Sequence, residues 1–80
     1  MEIKVLGPGC PKCKMVEQRV KDALADLGVV ADVEKVSDIE RMISYGIPAT
    51  PGLVIDGRIV SSGRIPRVED IKSWIRAAAG

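Results

Sequence analysis

The chain is 80 residues long, enough for one modest hydrophobic core, and its 46% hydrophobic and 29% charged residues describe a globular rather than a disordered protein. With 12 basic residues against 11 acidic ones the net charge is +1, which leaves no electrostatic case for nucleic acid or an anionic membrane surface as a partner. Phe is absent and Tyr and Trp occur once each, so aromatic platforms for bases or flat cofactors are not expected.

Glu2-Ile3-Lys4-Val5-Leu6 alternates polar and apolar residues and runs into Gly7-Pro8-Gly9, as a first strand feeding a loop does. From Pro11 the period becomes helical: Cys13, Val16, Val20, Ala23, Leu24 and Leu27 share one face, and Gly28 ends the helix. Val29 to Val36 is β-branched enough for a second strand. Ser37-Asp38-Ile39-Glu40 then reads as a capping box for a short helix from Asp38 to Tyr45, with Ile39, Met42 and Ile43 facing inward. Ile47-Pro48-Ala49-Thr50-Pro51-Gly52 is a loop, and Leu53-Val54-Ile55 is apolar throughout, as a central strand covered on both faces should be. Asp56-Gly57 predicts a tight hairpin into Arg58-Ile59-Val60-Ser61. A last helix has Pro66 near its start, Glu69 and Asp70 in its first turn, and Val68, Ile71, Trp74, Ile75 and Ala78 on its buried face. Met15, Met42 and Trp74 read as core, and Arg58, Arg64 and Arg67 as solvated surface charge. The order β-α-β-α-β-β-α has no linker or repeat, so residues 1–80 are expected to form a single α/β domain. With no signal-like opening and no bilayer-length apolar run, that domain is expected to be cytoplasmic, with no membrane and no nucleic-acid partner, and monomeric.

Both cysteines fall in GPGCPKCK, and histidine is absent. A disulfide between Cys10 and Cys13 closes a ring of four residues, worth roughly 2 kcal/mol by chain entropy against about 3–5 kcal/mol for rings of 15–100 residues, so as a brace it is badly placed. Chemistry suits it better. At the first turn of a helix the two residues share a face, with Cβ atoms about 5–6 Å apart, and small adjustments bring them into disulfide range. Cys10 lies nearer the positive end of the helix dipole, with Lys12 and Lys14 adding cationic field, which favours its thiolate. Cys13 follows the buried face and stays a thiol until needed. Cys10 is therefore expected to attack a substrate disulfide and Cys13 to resolve the mixed disulfide, with no bound cofactor. Pro11 fits the helix start because it has no N–H to leave unpaired. The alternative is a soft-metal protein holding Cu(I) or zinc with the same two thiolates. No histidine is present to act as base, and none of the carboxylates is assigned to that role.

GPGCPKCK, YGIPATPGLVIDG and SSGRIP together resemble the thioredoxin superfamily over essentially the whole chain, nearest its small glutaredoxin-like branch of redox-active disulfide proteins. The resemblance implies a four-stranded mixed sheet with the first and last helices on one face and the middle helix on the other. It implies Cys10 as nucleophile and Cys13 as resolver, and a cis Thr50–Pro51 peptide facing them. Pro51 is preferred over its rival Pro48, because Pro51 lies five residues before Asp56. Thr50 then offers its backbone to a substrate peptide, with Pro51, Pro11 and Lys12 beside it. Protein disulfides and an upstream dithiol reductase are the partners implied. Three departures bear on substrate. Gly9 stands where thioredoxins usually carry Trp, and Lys12 where glutaredoxins often carry Tyr. Ser61-Ser62-Gly63-Arg64 replaces a Gly-Gly followed by acidic residues, which argues against glutathione use.

Overall fold

The computed structural model describes residues 1–9, 11–47 and 49–79. Among them the chain forms four strands and three helices: β1 (Glu2–Leu6), α1 (Pro11–Leu27), β2 (Asp32–Val36), α2 (Ile39–Tyr45), β3 (Gly52–Ile55), β4 (Arg58–Ser62) and α3 (Val68–Ala79). The sheet order is β2-β1-β3-β4. β1 runs parallel to β2, with Glu2 opposite Asp32 and Leu6 opposite Val36, and antiparallel to β3, with Ile3 opposite Ile55 and Leu6 opposite Gly52. The sheet is thus mixed, as expected, and the covered strand β3 is buried along its whole length.

Alternation along the strands divides the core in two. On one face Ile3, Val5, Leu53 and Ile55 meet Val16, Val20, Ala23 and Leu24 of α1 and Ile71 and Ile75 of α3. On the other, Leu6, Val36 and Val54 meet Met42 of α2. The outer helices therefore share a face and the short one takes the other. Arg19 ties α1 to the α3 entry by donating to the Pro66 carbonyl at 3.1 Å, and Lys72 pairs with Asp26 at 2.9 Å.

Turn chemistry follows the residue types. Gly28 has φ +66°, and the bonds from Val29 N–H to the Leu24 carbonyl and from Gly28 N–H to the Ala25 carbonyl close α1 in a Schellman arrangement. Asp56 and Gly57, at φ 48° and 82°, make the two-residue hairpin turn. The Asp56 carboxylate also accepts from the Glu2 N–H at 2.8 Å.

Several expectations need correction. β2 begins at Asp32 rather than Val29, because its parallel partner begins at Glu2 and residues 29–31 have no strand to pair with. Asp38, not Ser37, is the N-cap of α2: its carboxylate accepts from the Glu40 N–H at 2.9 Å. Ile39 and Ile43 are 68% and 71% exposed, so of the three residues expected inside only Met42 is buried. The cause is the roll of the helix. Tyr45 accepts a 2.7 Å bond from Lys4 of β1, and Arg41 donates to Glu34 of β2 at 3.1 Å. Together these turn the Met42–Tyr45 stripe onto the sheet and the Ile39–Ile43 stripe away from it. Met15 is also exposed rather than core, since it lies outside the stripe that carries Cys13, Val16 and Val20. Trp74 and Val68 are partly buried against the larger core, and Ala78, beyond the last covered turn, is exposed.

Candidate active site

β1 delivers the chain to Gly7, whose N–H donates to the Val36 carbonyl at 2.9 Å and so extends the parallel pairing one residue past the strand. Pro8 and Gly9 are exposed, and Gly9 turns the chain at φ +86°, where a side chain is strained although there is open space around it. Pro11 is the first residue of α1. Cys10 lies outside the described residues, as does Pro48.

Cys13 sits in the first turn of α1 and is 4% exposed. Its Sγ rests on Gly7: a Cβ built there would overlap the sulfur, and it would lie 4.0 Å from the Pro51 Cα. Gly7 is therefore the thin wall between the buried cysteine and the proline loop, and its requirement is for space. Across that wall the Thr50–Pro51 peptide is cis, with Pro51 buried and Thr50 exposed. The loop is clamped from behind. The Pro51 carbonyl accepts from the Gly63 N–H at 2.9 Å, and a Cβ on Gly63, at φ +74°, would come 3.0 Å from that of Ala49.

Of the residues singled out from sequence, Cys13 and Pro51 are thus brought together with Gly7 between them. Thr50 stands at the surface beside Pro51, and Pro11 and Lys12 are exposed on the opening turn of α1. That turn carries no acidic residue, and Lys12, Lys14 and the helix dipole all contribute positive field to it. A cleft of about 200 Å³ opens on Cys13 from the β2 side, lined by Gly7, Pro8, Gly9, Lys14 and Lys35 among others.

The opposite face of the sheet holds the perturbed ionisable groups. A hydrogen bond to the Tyr45 hydroxyl raises the Lys4 pKa above the ordinary lysine value. The Arg41 guanidinium, hydrogen-bonded to Glu34, holds that carboxyl below its ordinary range, and Glu34 raises Arg41 in return. These groups fasten α2 to the sheet edge.

Gly7 was legible only as part of a Gly-Pro-Gly turn, and Gly63 only as part of the stretch Ser61-Ser62-Gly63-Arg64. Nothing in a single sequence shows that the first makes room for a sulfur and the second for a proline loop.

Residues 1–76 match the family model of the thioredoxin domain. The chain belongs to the thioredoxin family. It is 36% identical to a thioredoxin of Methanothermobacter thermautotrophicus over 72 residues, covering 90% of this chain and 94% of that one. With a thioredoxin of Methanocaldococcus jannaschii the identity is 39% over 75 residues, covering 94% and 86% respectively. Thioredoxin relatives of this closeness support a thiol–disulfide oxidoreductase activity in general terms, on the four-stranded mixed sheet described above. Among the described residues no helix is long and apolar enough to cross a membrane.

Proposed function

We propose that this thioredoxin-family chain exchanges disulfides through Cys10 and Cys13, Cys10 as the attacking thiolate and Cys13 as the resolving thiol. The observation that carries this reading is the placement of Cys13: 4% exposed, on the dipole-bearing first turn of α1, with Gly7 between it and Pro51 of the cis Thr50–Pro51 loop. A sulfur so enclosed is out of reach of a bulky disulfide but within reach of a neighbour three residues back.

In the first step the Cys10 thiolate attacks one sulfur of a substrate disulfide. A Cys10–substrate bond forms, the substrate S–S bond breaks, and the departing sulfur leaves as a thiolate that takes a proton from water. Cys13 then loses its proton and attacks the Cys10 sulfur, the mixed disulfide breaks, and the second substrate thiolate departs. The substrate gains two electrons and the Cys10–Cys13 pair loses two. An upstream dithiol reductase restores the pair. The exposed Thr50 supports a role in presenting backbone to an extended protein substrate, with Pro51, Pro11 and Lys12 around it. We read the working protein as a cytoplasmic, single-domain monomer acting on protein disulfides rather than on glutathione.

The test is Cys13→Ser, reduced and then exposed to a disulfide-bonded protein substrate. A covalent adduct through Cys10, released by dithiothreitol and absent from Cys10→Ser, is the expected outcome. If no adduct forms, and the unmodified chain instead takes up one Cu(I) per pair of thiols, the two cysteines serve soft-metal binding.

A further inference from the structure

The hairpin end of the sheet carries a cleft that the disulfide chemistry does not use. We propose that this cleft binds a small carboxylate with an apolar body, Arg58 taking the carboxylate and Trp74 lying against the body. The inference does not rest on the exchange reading. The site is also separate from the cysteine loop, since Asp56 of the cleft meets Glu2 at the start of β1 whereas Gly7 follows its end.

The cleft measures about 360 Å³, against about 200 Å³ for the one that opens on Cys13, and falls within the roughly 300–1,000 Å³ of small-ligand sites. Three elements build it. β3 supplies Ile55, a buried member of the larger core. β4 supplies Val60 through a bulge: Ile59 pairs with Val54 and Ser61 with Leu53, so Val60 is the extra residue between them. Val60 packs against the larger core while Ile59 beside it stays exposed. α3 supplies Trp74, partly buried against the same core, and Ala77 and Ala78, whose single methyl groups leave the space open. The hairpin wall is held in place without a ligand, because the Asp56 N–H donates to the Glu2 carbonyl and the Asp56 carboxylate accepts from the Glu2 N–H, both at 2.8 Å. A wall ordered in advance spares the ligand the cost of ordering it.

Charge selects the occupant. Asp56 and Arg58 are the ionisable residues that line the cleft. The Asp56 carboxylate is already engaged by Glu2, whereas the Arg58 guanidinium has no hydrogen bond or ion pair with a described residue. Arg58 pairs with Ile55 across the hairpin, which puts both side chains on the sheet face that α3 covers. Arg76 in the last turn of α3 offsets the negative end of that helix dipole. The charge left to be met is therefore positive, and a guanidinium takes a carboxylate through two parallel N–H···O bonds. The cleft beside the exposed Ile39 and Ile43 offers apolar surface too, but no charged residue lines it. An apolar anion should thus prefer the hairpin end.

The experiment titrates the full chain with octanoate, which is transparent where tryptophan absorbs. Trp74 is the only tryptophan, so its fluorescence reports on the cleft directly. A saturable change with a midpoint of about 1 mM or lower is expected. In an amide correlation spectrum the Trp74 indole N–H and the backbone N–H groups of Arg58, Ala77 and Ala78 should shift, and those of Cys13 and Lys14 should not. Octylamine, with the same body and the opposite charge, should bind at least about tenfold more weakly, and Arg58→Gln should weaken octanoate by about tenfold. Ala78→Phe, which fills the cleft from an exposed position on α3, should abolish the shifts. Four results would each overturn the assignment: no saturable response, equal binding of octylamine, undiminished binding in Arg58→Gln, or shifts centred on Ile39, Ile43 and Thr50. Disulfide exchange through the cysteine pair is measured separately, and its failure would leave this site standing.

Discussion

Two glycines in one loop are needed for different reasons, and the difference is measurable at single residues. Gly9 supplies a positive φ with open space around it, while Gly7 supplies the missing Cβ that lets α1 lay the Cys13 sulfur against the end of β1. Gly7→Ala adds one methyl group where it would overlap that sulfur, so either the helix start or the loop must move. Overpacking of this kind costs roughly 1–3 kcal/mol. Urea unfolding of the reduced proteins should show Gly7→Ala destabilised by that amount, and the Cys10–Cys13 midpoint potential should move with it, because the geometry between the two sulfurs changes. An unchanged unfolding midpoint would mean that the wall between Cys13 and Pro51 has slack that the packing does not show.

At the scale of elements, α2 is the piece most dependent on polar contacts, since it has seven residues and buries only Met42. Its seat is fixed by Arg41 on Glu34 and by Lys4 on the Tyr45 hydroxyl. The folded state lowers the Glu34 pKa, chiefly through the Arg41 hydrogen bond. Its contribution is therefore complete above the unfolded carboxyl pKa and is lost as pH falls through the folded value. Glu34→Gln should consequently be less stable than the original chain at pH 7, by a small margin because the pair is exposed. The two acid-unfolding curves should converge once the pH is below the carboxylate range. A gap that persists at pH 2 would assign the effect to packing instead. This element also marks where the sequence was least legible. Periodicity placed Ile39 and Ile43 with Met42, yet a seven-residue helix presents only one narrow stripe, and which stripe faces in was decided by Tyr45 and Arg41 reaching strands far away in sequence. Longer elements had more apolar positions to average over. Thus α1 begins at Pro11 and stops before Gly28 as its residues imply, and the Asp56-Gly57 turn follows the backbone preference of its two residues. At the site, the paired cysteines stood out by residue type and spacing, and Pro51 through the resemblance to the thioredoxin superfamily. Gly7 and Gly63 did not, because their importance lies in what the fold puts beside them.

Over the whole molecule, the cysteine loop lies at the C-terminal end of β1 and the hairpin turn at its N-terminal end, where Asp56 meets Glu2. α3 runs from Val68, just past Pro66 and its bond from Arg19, toward a cleft of about 360 Å³ that Trp74 and Ala78 share with Ile55 and Asp56 at the hairpin end. Ile75 is fully buried one residue beyond Trp74, in the larger of the two cores. It thus belongs to the packing that holds the sheet against α1 and α3, well along the chain from the residues around Cys13. Truncating it leaves a cavity, and Ile→Ala at such a site costs about 2–5 kcal/mol. That is a large share of the roughly 4–12 kcal/mol that a domain of this size holds in total. Ile75→Ala should therefore lower the urea midpoint sharply with an unchanged m-value, as a cooperative loss of stability does. The Cys10–Cys13 midpoint potential of the molecules that remain folded should stay where it is. A shift in that potential would mean that the hairpin end and the cysteine end are mechanically coupled through β1 and β3, and that the sheet transmits strain between them.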